Sequence, residues 1–119
     1  MTSYDVIRKR NKAIDLIDRR TLQQNKKNLI KIGANESLTH AQKKVEFCHY
    51  LLQKGKQYYT ECFFTNGKGR ADIFLLDDLI AVEIMDSETE SKILEKKLKY
   101  PCMVIEVRMN QTPKEIFGD

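Results

Sequence analysis

The sequence predicts an α/β protein with a mixed four-stranded sheet flanked by helices and a basic helix at the N-terminus. Its 119 residues are enough for one domain with a sizeable core. Apolar side chains recur with helical and strand periods in the order α-α-β-β-β-α-β. The helix between the third and fourth strands makes that pair parallel, whereas short turns join the earlier strands, so the sheet is mixed.

Composition excludes two classes of protein. Hydrophobic residues make up 41% of the chain and charged residues 32%, which excludes both a disordered chain and a membrane protein. The N-terminal stretch "MTSYDVIRKR" lacks the apolar run of a secretion signal, so we expect a cytoplasmic protein without a membrane partner.

Helices are predicted in two regions before the strands. Residues 4–33 carry apolar side chains at helical spacing, which predicts one long helix or two shorter ones, with Gly33 as the C-cap. A further helix is predicted over residues 39–54, and Ser37 or Thr39 is its expected N-cap.

The middle of the chain predicts three antiparallel strands. The aromatic-rich residues 57–64 form the first strand, and the Asn66-Gly67 pair that follows is a strong signal for a hairpin turn. Residues 70–77 return as the second strand. Residues 79–86 form the third strand after a tight turn.

The C-terminal part predicts a helix, a strand and a short helix. The capping-box pattern from Ser87 to Glu90 begins a helix that ends at Tyr100. Residues 102–109 are almost purely apolar on one face, which predicts a fourth, internal strand. Residues 112–115 form a second capping box with proline at the first helical position.

Positive charge is concentrated near the N-terminus. Residues 1–34 contain nine Lys or Arg against three Asp, although the whole chain carries a net charge of only +4. We therefore divide the sequence into a basic helical extension, residues 1–36, and a core, residues 37–119. A basic segment favours a polyanionic partner such as DNA. It also fits a solvent-exposed helix face with pairs such as Asp15–Arg19. The candidate DNA-binding residues of this segment are Arg8, Lys9, Arg10 and Lys12.

Cysteine and histidine give no metal-binding pattern. Cys48, Cys62 and Cys102 are odd in number and far apart, so reduced, buried thiols are expected. His40 and His49 lack the spacing of metal ligands, and we expect them to be structural or solvent-exposed.

Two carboxylates interrupt apolar runs in neighbouring strands. Asp72 stands in "RADIFLL" and Glu83 in "IAVEIM", where an unpaired charge is costly. Glu46 lies near the edge of the buried face of the preceding helix. These three acids would form an oxygen-only cluster suited to Mg²⁺ or Mn²⁺, which can activate water for attack on a phosphodiester. Alternatively, Asp72 and Glu83 pair with Arg70 or with lysines at a sheet edge.

The order of these elements resembles the PD-(D/E)XK nuclease superfamily. The resemblance covers residues 39–109: a helix with Glu, a hairpin, "RAD" in the second strand, "VEI" in the third, then a helix and a strand. The stretch "GRADIFLLDDLIAVEIMDSETESKILEKKLKYP" resembles the archaeal Holliday junction resolvase-like branch and small nucleases of archaeal viruses. The resemblance implies a restriction-endonuclease-like core with Glu46, Asp72 and Glu83 as metal-binding and catalytic residues. A viral member would act in the cytoplasm of its host.

One position departs from the superfamily pattern. The pattern has a lysine two residues after Glu83, on the same side of the strand, where this chain has Met85. In the superfamily that lysine positions the attacking water or stabilises charge on the phosphate. We expect a lysine from elsewhere to take this role, and we favour Lys96 or Lys92 in the following helix over Lys68 in the hairpin.

Three functions fit the sequence. The favoured one is a metal-dependent DNA endonuclease acting on duplex or branched DNA. The alternatives are a catalytically degenerate DNA-binding protein of the same fold and a dimeric interaction module. Lys68 and Arg70 are expected to bind a phosphate next to the scissile bond. A homodimer is expected because a branched substrate with two-fold symmetry requires two active sites.

Overall fold

The helices and strands follow the predicted order. The structure is a computed structural model, and it describes residues 3–85 and 90–118. The helices are α1 (Tyr4–Asp15), α2 (Arg19–Gln24), α3 (Leu38–Gln53), α4 (Glu90–Lys99) and α5 (Pro113–Phe117). The strands are β1 (Tyr58–Phe63), β2 (Arg70–Leu75), β3 (Ile80–Met85) and β4 (Met103–Arg108).

The four strands form one mixed sheet in the order β1-β2-β3-β4, which confirms the predicted fold class. The β1–β2 and β2–β3 pairs are antiparallel, and the β3–β4 pair is parallel. The prediction that the fourth strand is internal is wrong, because β4 lies at an edge and pairs only with β3 among the described strands. Val107 of β4 is buried and Val104 and Ile105 are partly buried by packing on the faces of the sheet, whereas Met103 is 65% exposed.

Apolar side chains bury both faces of the sheet. One cluster joins α1 and the end of α4 to the sheet, and its members include Ala13, Ile17, Phe64, Phe74 and Tyr100. The other cluster joins α3 to the opposite face, and its members include Phe47, Leu51, Ile73, Val82 and Val107. Because α1 supplies Ala13 and the segment after it supplies Ile17, the boundary at residue 36 divides the sequence but not the hydrophobic core.

The helical region at the N-terminus ends earlier than predicted. α2 stops at Gln24, so the expectation of a helix that reaches Gly33 is wrong. The Asn25 side chain donates a hydrogen bond to the Thr60 carbonyl, and the Asn28 side chain accepts one from the Tyr58 amide. These contacts satisfy backbone groups at the outer edge of β1, which a continued helix would not do.

Local signals place the other elements. Ser37 caps α3 and Thr112 caps α5 with their side-chain oxygens. The predicted cap at Ser87 lies outside the described residues. The turn between β1 and β2 has positive φ at Asn66 and Gly67, as expected for this residue pair. In residues 3–85 and 90–118, no helix is long and apolar enough to span a membrane.

Candidate active site

Two carboxyl groups from neighbouring strands meet at the centre of the site. Ile73 of β2 pairs with Val82 of β3, so the antiparallel register sets Asp72 opposite Glu83. The Asp72 amide donates a hydrogen bond to Glu83 Oε2 at 2.8 Å, and the Ile84 amide donates one to Asp72 Oδ2 at 2.8 Å. Backbone groups of the sheet therefore fix the orientation of both carboxylates.

These two acids belong to a row of four, one from each strand. Glu83 pairs with Glu106 of β4 in the parallel register. The residues on either side of Glu61 in β1 pair with those on either side of Asp72, so Glu61 lies across from Asp72. We call Glu61, Asp72, Glu83 and Glu106 the acidic row. Glu61 has a φ of 47°, a left-handed conformation that non-glycine residues adopt only when their surroundings hold them there.

Each acid of the row contacts a cation of the protein. Because these contacts are internal, the row is largely neutralised before any ligand arrives. The pairs and their N–O distances are Lys44–Glu61 at 2.8 Å, His40–Asp72 at 3.3 Å, Lys96–Glu83 at 2.9 Å and Lys97–Glu106 at 3.3 Å.

Glu83 is the most deeply buried acid of the site, with 1% of its surface exposed. Burial, and then the charge of Asp72, raises the pKa of Glu83 to about 7. The Tyr100 hydroxyl lies 2.7 Å from Glu83 Oε1 and 2.6 Å from the Arg70 carbonyl. A hydroxyl has only one proton to donate, so both contacts are satisfied when Glu83 itself carries a proton.

An ionic chain supports Asp72 from the side of α3. His40 Nε2 contacts Asp72, and His40 Nδ1 contacts Glu36 one helical turn earlier. The hydrogen bond to Asp72 is the main cause that raises the pKa of His40 to about 9. The imidazole is therefore protonated at neutral pH and donates from both nitrogens.

Lys44 continues this chain in the interior of the protein. Its side chain is 0% exposed, and its ammonium donates to the Lys31 carbonyl, to Glu36 Oε1 and to Glu61 Oε1 at 2.8–3.0 Å. These three bonds use all three protons of the ammonium. Arg70 Nε lies 3.1 Å from the other oxygen of Glu61. We call the series Arg70, Glu61, Lys44, Glu36, His40 and Asp72 the ionic chain.

The structure does not bring Glu46 to the strand carboxylates, so its predicted position as a third ligand is corrected. Its carboxylate accepts a hydrogen bond from Lys43 at 2.9 Å and is 45% exposed. Glu46 follows His40 by six residues, which at about 100° per residue turns it onto another face of α3. The groups that α3 and its N-terminal approach bring to the strand acids are instead Glu36 and His40.

The lysines predicted to replace the superfamily lysine do not lie together in the structure. Lys96 contacts Glu83, whereas Lys92 lines a neighbouring cleft. Met85, which stands where the superfamily pattern has lysine, is buried with 6% of its surface exposed. Lys68 follows the turn between β1 and β2, and Arg70 belongs to the ionic chain.

The basic residues of α1 are partly engaged within the protein. Arg10 forms a two-fold contact with Asp77, with N–O distances of 3.0 and 2.9 Å, so its guanidinium anchors α1 to the β2–β3 turn. DNA binding by Arg10 stays a prediction, and in this structure its guanidinium is engaged by Asp77. Arg8 and Lys9 pair with Asp5 on the same helix, and Lys12 is exposed.

The donor set fits a divalent cation that keeps part of its water shell. Asp72 Oδ1 accepts no hydrogen bond from the described residues, and the Asp72 side chain is 16% exposed. In the part of the chain that the structure describes, no three His, Cys, Asp or Glu side chains converge as a metal cluster. Mg²⁺ is commonly held by one or two carboxylates and several waters, so Asp72 and Glu83 are the carboxylates that could hold such an ion.

Comparison with known proteins places the chain in a family. The family model of the competence protein CoiA, nuclease-like domain, matches residues 36–105, more than half of the 119 residues. This range contains Glu36, His40, Asp72 and Glu83. No curated protein and no solved structure gives a significant match. The match supports a nuclease-like fold compatible with the PD-(D/E)XK resemblance, but not its Holliday junction resolvase-like branch. The chain belongs to the family of the CoiA nuclease-like domain.

Proposed function

We propose that this protein is a metal-dependent DNA endonuclease that hydrolyses phosphodiester bonds. One observation carries the proposal: Asp72 and Glu83 lie side by side on neighbouring strands, and the Lys96 ammonium lies 2.9 Å from Glu83. Carboxylates with an adjacent cation are the groups that phosphodiester hydrolysis requires. The nuclease-like family supports the same reaction class.

In this proposal Asp72 and Glu83 hold Mg²⁺ or Mn²⁺. An ion held there would supply an activated water and would neutralise charge on the phosphate. The ionic chain and the Ile84 amide keep Asp72 in a single orientation, and Tyr100 does the same for Glu83. Lys96 stabilises the negative charge that develops on the phosphate, the role of the lysine that Met85 replaces.

The experiment is cleavage of labelled duplex and four-way-junction DNA during a titration with Mg²⁺ or Mn²⁺. We expect cleavage by the wild type and a loss of about 10²-fold or more for Asp72→Asn, Glu83→Gln and Lys96→Met. Glu46→Gln is the matched control, because this carboxylate lies outside the site, and it should cleave at the wild-type rate. Wild-type rates in the Asp72 and Glu83 variants would overturn the assignment.

A catalytically degenerate DNA-binding protein is the second candidate, and Met85 is the observation that favours it. A protein that binds both DNA probes at low salt but cleaves neither in either metal would establish this alternative. Faster cleavage of the junction than of the duplex would extend the first proposal to branched DNA. That extension also requires a homodimer, which a sedimentation mass near the 14.0 kDa of one chain would contradict.

A further inference from the structure

A second, larger cleft opens beside the carboxylates. It has a volume of about 910 Å³, within the usual range of ligand sites, and its walls are α4, the β1–β2 turn and the start of α2. Phe63, Arg70 and Lys96 line both this cleft and the one that contains Asp72 and Glu83. The two clefts are therefore neighbours that share these three side chains. We call the larger one the basic cleft.

Cations dominate the walls of the basic cleft. Lys92, Lys96 and Lys99 follow one another at helical spacing along one face of α4, and Arg20 and Arg70 also line the cleft. The acids among its lining residues are Asp18 and Glu95. The Asp18 carboxylate caps α2 by accepting a hydrogen bond from the Arg20 amide at 2.8 Å, and it also lies 3.9 Å from the Arg20 guanidinium. The excess of positive charge fits a polyanion.

An aromatic ring lies among these cations at the junction of the two clefts. The Arg20 guanidinium lies 4.1 Å from the centroid of the Phe63 ring, and Arg70 lies 5.7 Å from it. The Phe63 amide donates to Thr21 Oγ1 at 2.9 Å, and its carbonyl accepts from the Asp18 amide at 2.8 Å. These bonds hold the Phe63 backbone against the start of α2, and the Arg20 guanidinium lies over the face of the Phe63 ring. We call this stacked pair the Phe63–Arg20 platform.

We propose that the basic cleft binds a single-stranded segment of DNA, with a base stacked on the Phe63–Arg20 platform and phosphates along the lysines of α4. Proteins bind single strands by combining a basic groove with aromatic or arginine surfaces on which bases stack. The bases of a duplex are already stacked on one another, so a platform of this kind has no base face to contact in a duplex.

The position of the cleft gives the strand a direction toward the carboxylates. A strand that lies along Lys92, Lys96 and Lys99 passes Lys96, which lines both clefts and contacts Glu83, so its backbone lies next to the acids. The cleft would thus deliver a backbone phosphate to the pair of acids while a neighbouring base is held on the platform. This inference rests on the proposed function for the choice of DNA as the polymer.

The experiment measures binding by fluorescence anisotropy in EDTA, so that no cleavage occurs and no metal is needed. The probes are a labelled oligothymidylate, an abasic strand with the same number of phosphates, and a duplex of the same length. We expect the wild type to bind the oligothymidylate about fivefold or more tighter than the abasic strand, and tighter than the duplex. Both Phe63→Leu and Arg20→Gln should abolish the preference for bases.

Arg19→Gln is the matched control, because Arg19 is exposed at the start of α2 but does not line the basic cleft. It removes the same charge from the same helix and should leave the preference for bases intact. Arg20 is itself 56% exposed, so Arg20→Gln remains a fair test even if Phe63→Leu fails to fold. If Arg19→Gln and Arg20→Gln reduced the preference for bases equally, the proposed stacking on Phe63 and Arg20 would be wrong.

Two further outcomes would also overturn the inference. Equal affinity for the oligothymidylate and the abasic strand would mean that the cleft binds phosphates but no base. Tighter binding to the duplex than to the oligothymidylate would exclude a single-strand site. Failure of the proposed hydrolysis is distinguishable from both. A protein that prefers bases in EDTA but never cleaves DNA retains the single-strand site and loses the nuclease assignment.

Discussion

The acidic row and the basic cleft lie next to each other but differ in their balance of positive and negative side chains. In the acidic row every carboxylate contacts a cation of the same chain, and Lys44 and Glu83 are almost completely buried. In the basic cleft the cations outnumber the acids among the lining residues, and Arg20 is largely exposed. The first region stabilises its own geometry before a ligand arrives. In the second region Lys96 and Arg70 pair with acids of the row, and the lining residues still include more cations than acids.

From this difference we expect mutations in the acidic row to affect folding and mutations in the basic cleft to affect binding. A buried ion pair that loses one partner leaves an uncompensated charge in the interior, which is costly. An exposed cation that is removed leaves nothing buried, so stability hardly changes.

Lys44→Met should cause the largest loss of stability. The substitution keeps the length of the side chain but leaves Glu36 and Glu61 without the ammonium that joins them. We expect the free energy of unfolding, measured by urea denaturation, to fall by about 3–5 kcal/mol. Lys97→Met is the control, since its pair with Glu106 is more exposed, and it should cost less than about 1 kcal/mol. If Lys44→Met and Lys97→Met lowered the free energy of unfolding equally, the ionic chain would not stabilise the fold.

Glu83→Gln should change how stability depends on pH. Glu83 has a pKa of about 7 in the folded protein against 4.5 for an ordinary glutamate, so the folded state binds the proton more tightly. The free energy of unfolding therefore decreases as pH rises from about 4.5 to about 7, by at most about 3 kcal/mol. Glutamine does not titrate, so Glu83→Gln should lack this decrease.

The measurement is the melting temperature in EDTA at pH 4.5 and pH 7.5. Between these two pH values the melting temperature of the wild type should fall by more than that of Glu83→Gln. The control Glu46→Gln, at an exposed site, should show the same fall as the wild type. Parallel curves for the wild type and Glu83→Gln would show that Glu83 does not hold the proton in the folded protein.

The double variant Lys92→Gln, Lys99→Gln should have the smallest effect on stability, within about 0.5 kcal/mol of the wild type. It should instead reduce the dependence of single-strand binding on salt, by about 0.7 in the slope of log affinity against log salt for each lost phosphate contact. The control is Lys26→Gln, Lys27→Gln, a pair of exposed lysines that do not line the basic cleft. Identical slopes in the two double variants would assign the lysines of α4 to ordinary surface charge.

The sequence predicts the acidic row better than the basic cleft, for a physical reason. Asp72 and Glu83 interrupt apolar runs, and a charge in such a run requires a partner wherever the strand lies. Arg20, Phe63 and Lys92 come from three separate elements, and only the packing of α2 and α4 brings them to one cleft. The residue pattern within any one of these elements does not indicate that the three side chains line the same cleft.

Other features were missed although the sequence carries a partial signal for them. Glu36, His40 and Lys44 recur every four residues, which places them on one side of α3 and its approach. This spacing is not that of metal ligands, so the sequence predicts only a structural or solvent-exposed role for His40. Glu61 also interrupts an aromatic strand, but its left-handed φ depends on the contacts of its side chain.

The edge position of β4 could not be predicted from its composition. Packing against helices on the sheet faces and hydrogen bonding between two strands both favour apolar residues, so a hydrophobic run does not distinguish them. Similarly, the end of α2 depends on where β1 offers backbone groups to Asn25 and Asn28. Both outcomes depend on tertiary contacts rather than on local propensity.

The buried ammonium of Lys44 has a kinetic consequence. Burial by itself would lower the pKa of Lys44, but its hydrogen bonds to Glu61 and Glu36 raise the pKa above the ordinary value. Amine-reactive reagents attack the neutral form, and this amine is both charged and fully enclosed in the native protein. Its labelling rate would therefore report how often α3 separates from β1, and each labelled molecule would record one such local opening.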